Sequence, residues 1–213
     1  MSSKLKVILF VTILASTSLS FASVSIYTNN ALFNAQGTVV YDTHMACGID
    51  FCYPGNPYTV GGVTYNTGDN IIVGTRSFYF PVAALMAYNG WTPLTGTFGI
   101  SPSYDMFGFL LGTITTSGYA SPMNVTVDTN LGSYNFLSLA NPDAATGLQF
   151  YGFVAGGGEY LTGFSIASEY GVGWAPGITN VEVGNTVPEP GTLAMVGSGL
   201  ALLAGAVRRK LNF

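Results

Sequence analysis

The chain has 213 residues, of which only 8% are charged, with six Lys plus Arg, ten Asp plus Glu and a single His. Five of the six bases stand at positions 4, 6, 208, 209 and 210, so the span from Ser23 to Val187 keeps Arg76 alone against nine acids, a net charge of −8. That balance argues against nucleic acid and anionic surfaces as partners, and a span without lysine excludes a P-loop and Schiff-base chemistry.

In chain order, residues 1–22 read as a secretory signal peptide. Lys4 and Lys6 form the positive start, Val7 to Leu14 the apolar core, and Ser20-Phe21-Ala22 places small residues at the −3 and −1 positions. Cleavage is expected after Ala22. Residues 23–186 then read as one acidic domain, long enough for a sizeable core.

This domain is rich in Gly, Tyr, Phe, Thr, Val and Asn, a composition that favours strands and turns over helices. Strand-like runs are expected at 24–28, 38–42, 58–65, 70–75, 77–86, 95–100, 106–116, 124–129, 148–155, 161–167 and 178–184. Gly61-Gly62 reads as the tight turn of a hairpin. A single short helix is expected over Asn30–Gln36, with Asn30 as its N-cap. The run Ile178–Val183 reads as the last strand, and Gly184-Asn185-Thr186 as a very short tether. The predicted class is all-β, an antiparallel two-sheet sandwich of jelly-roll type, with a barrel as the runner-up.

Cys47 and Cys52 are the only cysteines, and an exported setting predicts a disulfide between them. Free thiols are the next alternative, and a metal site drawn from Asp42, His44, Cys47 and Cys52 comes last. His44 would have to be the base of any serine or cysteine triad, and no Gly-x-Ser-x-Gly elbow accompanies it in the domain. No catalytic residues, no metal centre and no cofactor are predicted. Two carboxylates could serve a glycosidase, but the sequence does not say which of the nine acids approach each other. Structural calcium stays open, with oxygen ligands in turns at Asp69-Asn70, Asp128 with Asn130, and Asn141 with Asp143. Loop aromatics could stack on sugar rings, and Trp91 and Trp174 are the first candidates, ahead of Tyr53, Tyr58, Tyr104, Tyr119, Tyr160 and Tyr170.

The chain closes on Val187-Pro188-Glu189-Pro190-Gly191, an uncharged run over 191–207, and a basic tail over 208–213 that opens with Arg208-Arg209-Lys210. The prolines keep the motif extended and out of a helix. As a helix the uncharged run would span about 25 Å, near the lower limit for a transmembrane segment, and the basic cluster would remain cytoplasmic. The order and spacing of these parts over 187–213 resemble the PEP-CTERM sorting signal of Gram-negative bacteria, also called the ice-binding protein C-terminal domain.

That resemblance implies a partner, the membrane-bound exosortase, which cuts near Pro188-Glu189-Pro190. It also implies a route: export, transient anchoring in the inner membrane with the domain on the periplasmic side, then the cell surface or exopolysaccharide matrix. The function expected is that of a non-enzymatic structural or adhesive protein of that matrix. A carbohydrate-binding module contacting exopolysaccharide is the alternative, and a polysaccharide hydrolase ranks third.

Overall fold

The computed structural model describes residues 23–47, 51–74, 82–87, 92–99, 103–115, 121–140, 147–170, 174–187 and 197–200. The expected signal peptide, Ala22 included, lies outside these residues. So do most of 191–207 and the basic tail; residues 197–200 are helical. Among the described residues no helix is long and apolar enough to cross a membrane.

Among the described residues fourteen strands run in the order β1 (Val24–Tyr27), β2 (Gly37–Thr43), β3 (Phe51–Cys52), β4 (Tyr58–Val60), β5 (Val63–Asn66), β6 (Ile71–Gly74), β7 (Ala84–Ala87), β8 (Leu94–Phe98), β9 (Met106–Thr115), β10 (Met123–Thr129), β11 (Ser133–Leu139), β12 (Gln149–Ala155), β13 (Leu161–Ser168) and β14 (Trp174–Thr186). A short helix, α1 (Asn30–Asn34), separates β1 from β2. One sheet has the order β1-β12-β9-β14-β7-β6-β3, with β2 also paired to β14; the other has the order β11-β10-β13-β8-β5-β4. The described strand pairs are antiparallel, so the chain is all-β with two antiparallel sheets, as expected, and one core cluster shared by both sheets fits a sandwich.

Alternation decides which side chains meet between the sheets. Phe107, Phe109 and Leu111 of β9 in the larger sheet share one core with Met123, Val125 and Val127 of β10 in the smaller. Phe164 of β13 joins the two layers, its ring stacked on Phe107 with centroids 4.5 Å apart and near Phe98 at 5.9 Å. Fully burying each such side chain contributes about 2 kcal/mol, with roughly 1 kcal/mol more for well-placed ring pairs.

β14 breaks its own alternation to keep this pattern. Asn180 sits at φ 47°, a conformation that Asn tolerates better than most residues. The pairing with β9 slips between Thr179 and Glu182. Ile178, Val181 and Val183 therefore all point into the core.

The larger sheet is covered on its outer face as well. Phe33 of α1 packs there with Met106, Phe150 and Val154. Beneath the ring lie Gly108 and Gly152, paired directly across β9 and β12. A Cβ at Gly152 would overlap the Phe33 ring, and one at Gly108 would lie 3.1 Å from it. These two glycines are thus the floor on which the helix rests. The helix starts at Asn30 and ends at Asn34, two residues short of the expected end, and its N-cap is one residue earlier than expected. Asn29, in extended conformation, is the N-cap, and its side chain accepts from the Leu32 N–H at 3.1 Å. Asn30 is thereby free to donate to Glu182 at 2.7 Å, tying α1 to β14.

Other differences are local. The run expected over 77–86 yields β7 only from Ala84, and 75–81 lies outside the described residues. β11 and β3 were not expected. β11 is an edge strand whose Ser and Asn residues read as turn formers, and β3 is only two residues long.

Candidate functional site

The expected tether before the closing motif is not a tether. Gly184, Asn185 and Thr186 are the last residues of β14, paired with Val39, Thr38 and Gly37. They are held from the other side too. Asp105, just before β9, accepts from the Thr186 N–H at 2.6 Å and from the Thr186 hydroxyl at 2.6 Å. Its own N–H donates to Gly184 O at 3.2 Å, and its carbonyl accepts from the Ala155 N–H at 2.8 Å. The next residue, Val187, donates its N–H to Gln36 O at 3.1 Å. Ordered, paired chain therefore runs up to the residue before Pro188. The composition of 184–186 suggested a linker, because Gly, Asn and Thr are turn formers; long-range pairing overrides that preference.

The same end of the sandwich gathers several turns. Tyr104 bridges to Leu161, and the Leu161 N–H donates to Tyr104 O at 2.7 Å. The turn after β10 is bound to the start of β13: the Asn130 N–H donates to Tyr160 O at 3.0 Å, and Asn130 Oδ1 accepts from the Tyr160 N–H at 2.9 Å. Glu159 is buried there. Its carboxylate accepts from the Thr129 hydroxyl and, at 2.7 Å, from the Tyr134 hydroxyl. The bond to Glu159 raises the Tyr134 phenol above its ordinary pKa. Burial, and then the hydrogen bond to Tyr41, raises that of Tyr104. Outward from this end point Leu131, Tyr160 and Val187.

The other sequence-predicted residues scatter. Cys47 and Cys52 form a disulfide, with Cα atoms 6.1 Å apart, which removes their thiolates from any metal set. His44 Nδ1 lies 3.5 Å from an Asp42 carboxylate oxygen, both side chains more than half exposed. Of the calcium candidates, Asp128 accepts from the Ser133 hydroxyl at 2.5 Å and Asn130 is engaged with Tyr160; Asn141 and Asp143 lie outside the described residues. Among the described residues no three His, Cys, Asp or Glu side chains gather at one point. Trp91 and Tyr119 also lie outside them. Trp174 opens β14 opposite Thr115, and its side chain is not among those described. Tyr104 is buried, and Tyr58 is half-buried against the core. Tyr53, Tyr160 and Tyr170 are exposed.

Sequence reasoning missed a surface. The outer face of the smaller sheet carries two aligned polar rows. One runs Thr59–Thr64–Thr97–Gly163–Asp128–Ser133 and the other Asn66–Thr95–Ser165–Thr126–Asn135. Neighbours bond across strands: Thr59 with Thr64 at 2.9 Å and Thr126 to Asn135 at 2.8 Å. Asp128 is the only charged residue in the two rows. The signal was present, since each strand alternates apolar with Thr, Ser or Asn, but the register between strands was not.

At 186–210 the chain matches the model of the PEP-CTERM protein-sorting motif. Residues 186–210 are a PEP-CTERM sorting motif. The chain therefore carries the signal of an exported protein sorted to the cell surface, and the PEP-CTERM motif begins at the residue that Asp105 clamps. No curated relative matches the chain. Among solved structures, a mutant of a family 29 carbohydrate-binding module is similar at 11% identity, with a TM-score of 0.33, 72% of this chain covered and 97% of that one. A second mutant of the same module gives 10% identity and a TM-score of 0.31, over 81% of this chain and 96% of that one.

Proposed function

We propose that the chain is a non-enzymatic surface or matrix protein, structural or adhesive in role, delivered by an exosortase that reads the PEP-CTERM motif. The match over 186–210 carries this reading. Exosortase cuts near Pro188-Glu189-Pro190. Until then the uncharged run 191–207 holds the chain in the inner membrane, with Arg208, Arg209 and Lys210 on the cytoplasmic side and the sandwich in the periplasm. Full-length protein expressed in its own cells tests the reading. Pro188→Ala and Glu189→Ala should each leave the unprocessed chain in the membrane fraction, whereas the wild type loses the mass of its tail. Normal processing of both variants would sink it.

The second reading is a carbohydrate-binding module, favoured by the open, nearly uncharged grid of hydroxyls and amides on the smaller sheet. Neutral polysaccharide offers matching donors and acceptors and is not repelled by a domain of charge −8. Trp91 and Trp174 remain the stacking candidates. Thr126→Arg, in the middle of the grid, should abolish retention on the binding polysaccharide. A wild-type domain that no neutral polysaccharide retains would end this reading.

A further inference from the structure

The chain between the sandwich and the sorting signal's apolar run is too short for the domain to float free of the membrane. The Val187 N–H donates to Gln36 O, and the uncharged run opens at Gly191. Four residues reach about 14 Å at most, and the headgroup layer of one leaflet takes up roughly 5–8 Å of that. While 191–207 is held in the bilayer, the end of the sandwich bearing Val187 thus lies within about one turn's height of lipid.

That end is built to be there. Leu131 is 63% exposed, Val187 58% and Tyr160 37%. They stand on one hydrogen-bonded path: Asn130 to Tyr160, Leu161 to Tyr104, then Asp105 to Gly184 and Thr186. Two acids on this path are turned to internal partners, Asp105 to Thr186 and Glu159 to Thr129 and Tyr134; Asp42 and Asp128 are more open. The exposed acid Glu169 sits beyond the opposite end of β13. An acidic domain is repelled by anionic lipid, so a bilayer would be met at least cost where acids are held by internal hydrogen bonds, as Asp105 and Glu159 are. Tyrosine, apolar in body and polar at its tip, suits the headgroup layer.

We propose that this end is a membrane seat. Leu131, Tyr160 and Val187 rest in the headgroup layer of the bilayer that holds the C-terminal run, and they set the sandwich upright over the sorting motif before it is cut. The inference rests on the anchoring reading above. Its test uses full-length chain in vesicles of phosphatidylethanolamine and phosphatidylglycerol at three to one. A fluorophore is placed through Leu131→Cys, Tyr160→Cys or, at the far end, Glu169→Cys, and headgroup-spin-labelled lipid is the quencher. The labels at 131 and 160 should be quenched at least threefold more than the label at 169. Eight Gly/Ser residues inserted after Val187 should reduce that difference.

A chain that fails to float with the vesicles overturns the anchoring reading and the seat together. One that floats with equal quenching at the three positions overturns the seat alone. Quenching that appears only when exosortase is reconstituted alongside overturns it in favour of a protein partner.

Discussion

Asp105 grips Thr186 with both carboxylate oxygens, one on the backbone N–H and one on the hydroxyl, each at 2.6 Å. The two residues are 81 positions apart, and their contact is where the folded domain ends and the sorting motif begins. Asp105→Ala leaves the Thr186 N–H and hydroxyl without their acceptor. Loss of bonds to a charged group should cost about 2 kcal/mol, or roughly 4–8 °C in Tm for a domain of this size. Asp105→Asn, which keeps one carbonyl acceptor, should cost less than half as much. Amide exchange should accelerate at Thr186 and Val187 before it does so in the core. Unchanged exchange there would show that β2 alone holds the end.

Phe33 and Gly152 form the second relationship with a clear test. Gly152→Ala pushes a Cβ into the Phe33 ring and should cost about 1–3 kcal/mol. Phe33→Ala should cost about 3–5 kcal/mol. The two changes should couple, because the clash disappears with the ring. In urea denaturation, Gly152→Ala should therefore be much milder in the Phe33→Ala background. Additive effects would mean that the helix does not rest on these glycines.

The tyrosines predict the alkaline limit of stability. Burial, and then the charge of Tyr58, pushes the Tyr65 phenol far above its ordinary value. Burial also raises Tyr104 and Tyr151, while Tyr134 is raised first by its bond to Glu159. A folded pKa above the unfolded one contributes stability that is complete below about pH 10. It is lost as pH rises beyond that, because the unfolded chain releases protons that the folded chain keeps. The urea midpoint should hold steady from pH 8 to 9.5 and fall steeply above pH 10. Tyr65→Phe should lessen the fall. A midpoint flat to pH 11.5 would contradict the burial of these phenols.

Reduction of Cys47–Cys52 should be tolerated. The bridge closes a loop of sequence separation 5, worth about 2 kcal/mol by loop entropy. The reduced domain should stay folded with a lower Tm. Alkylation should add two adducts only after reduction, as read by mass spectrometry. Adducts on the unreduced protein would mean free thiols.

Much of the architecture could be read along the chain. Alternation in Met123–Thr129 marks a strand with one face inward, the apolar run Met106–Thr115 a strand covered on both faces, and Gly61-Gly62 a turn. These are local properties, fixed by side-chain period and by φ. β11 escaped because Ser133, Asn135 and Ser138 are turn formers by preference. They are strand residues here because β10 supplies their pairing.

The sorting motif is wholly a matter of sequence. Pro188-Glu189-Pro190, the uncharged run and the basic cluster act as linear chain, so their order is their meaning, and the charge of −8 follows from counting alone. Where that motif stands relative to the domain was decided only in three dimensions. Gly184-Asn185-Thr186 has the composition of a linker, yet it is strand, because Asp105 and β2 arrive from 81 and about 150 residues away to satisfy its backbone. The polar grid on the smaller sheet has the same origin, since its rows exist only once register aligns the six separate strands of that sheet. Period-two patterning tells each strand which side chains to hide, but only long-range hydrogen bonding sets what the exposed ones stand beside.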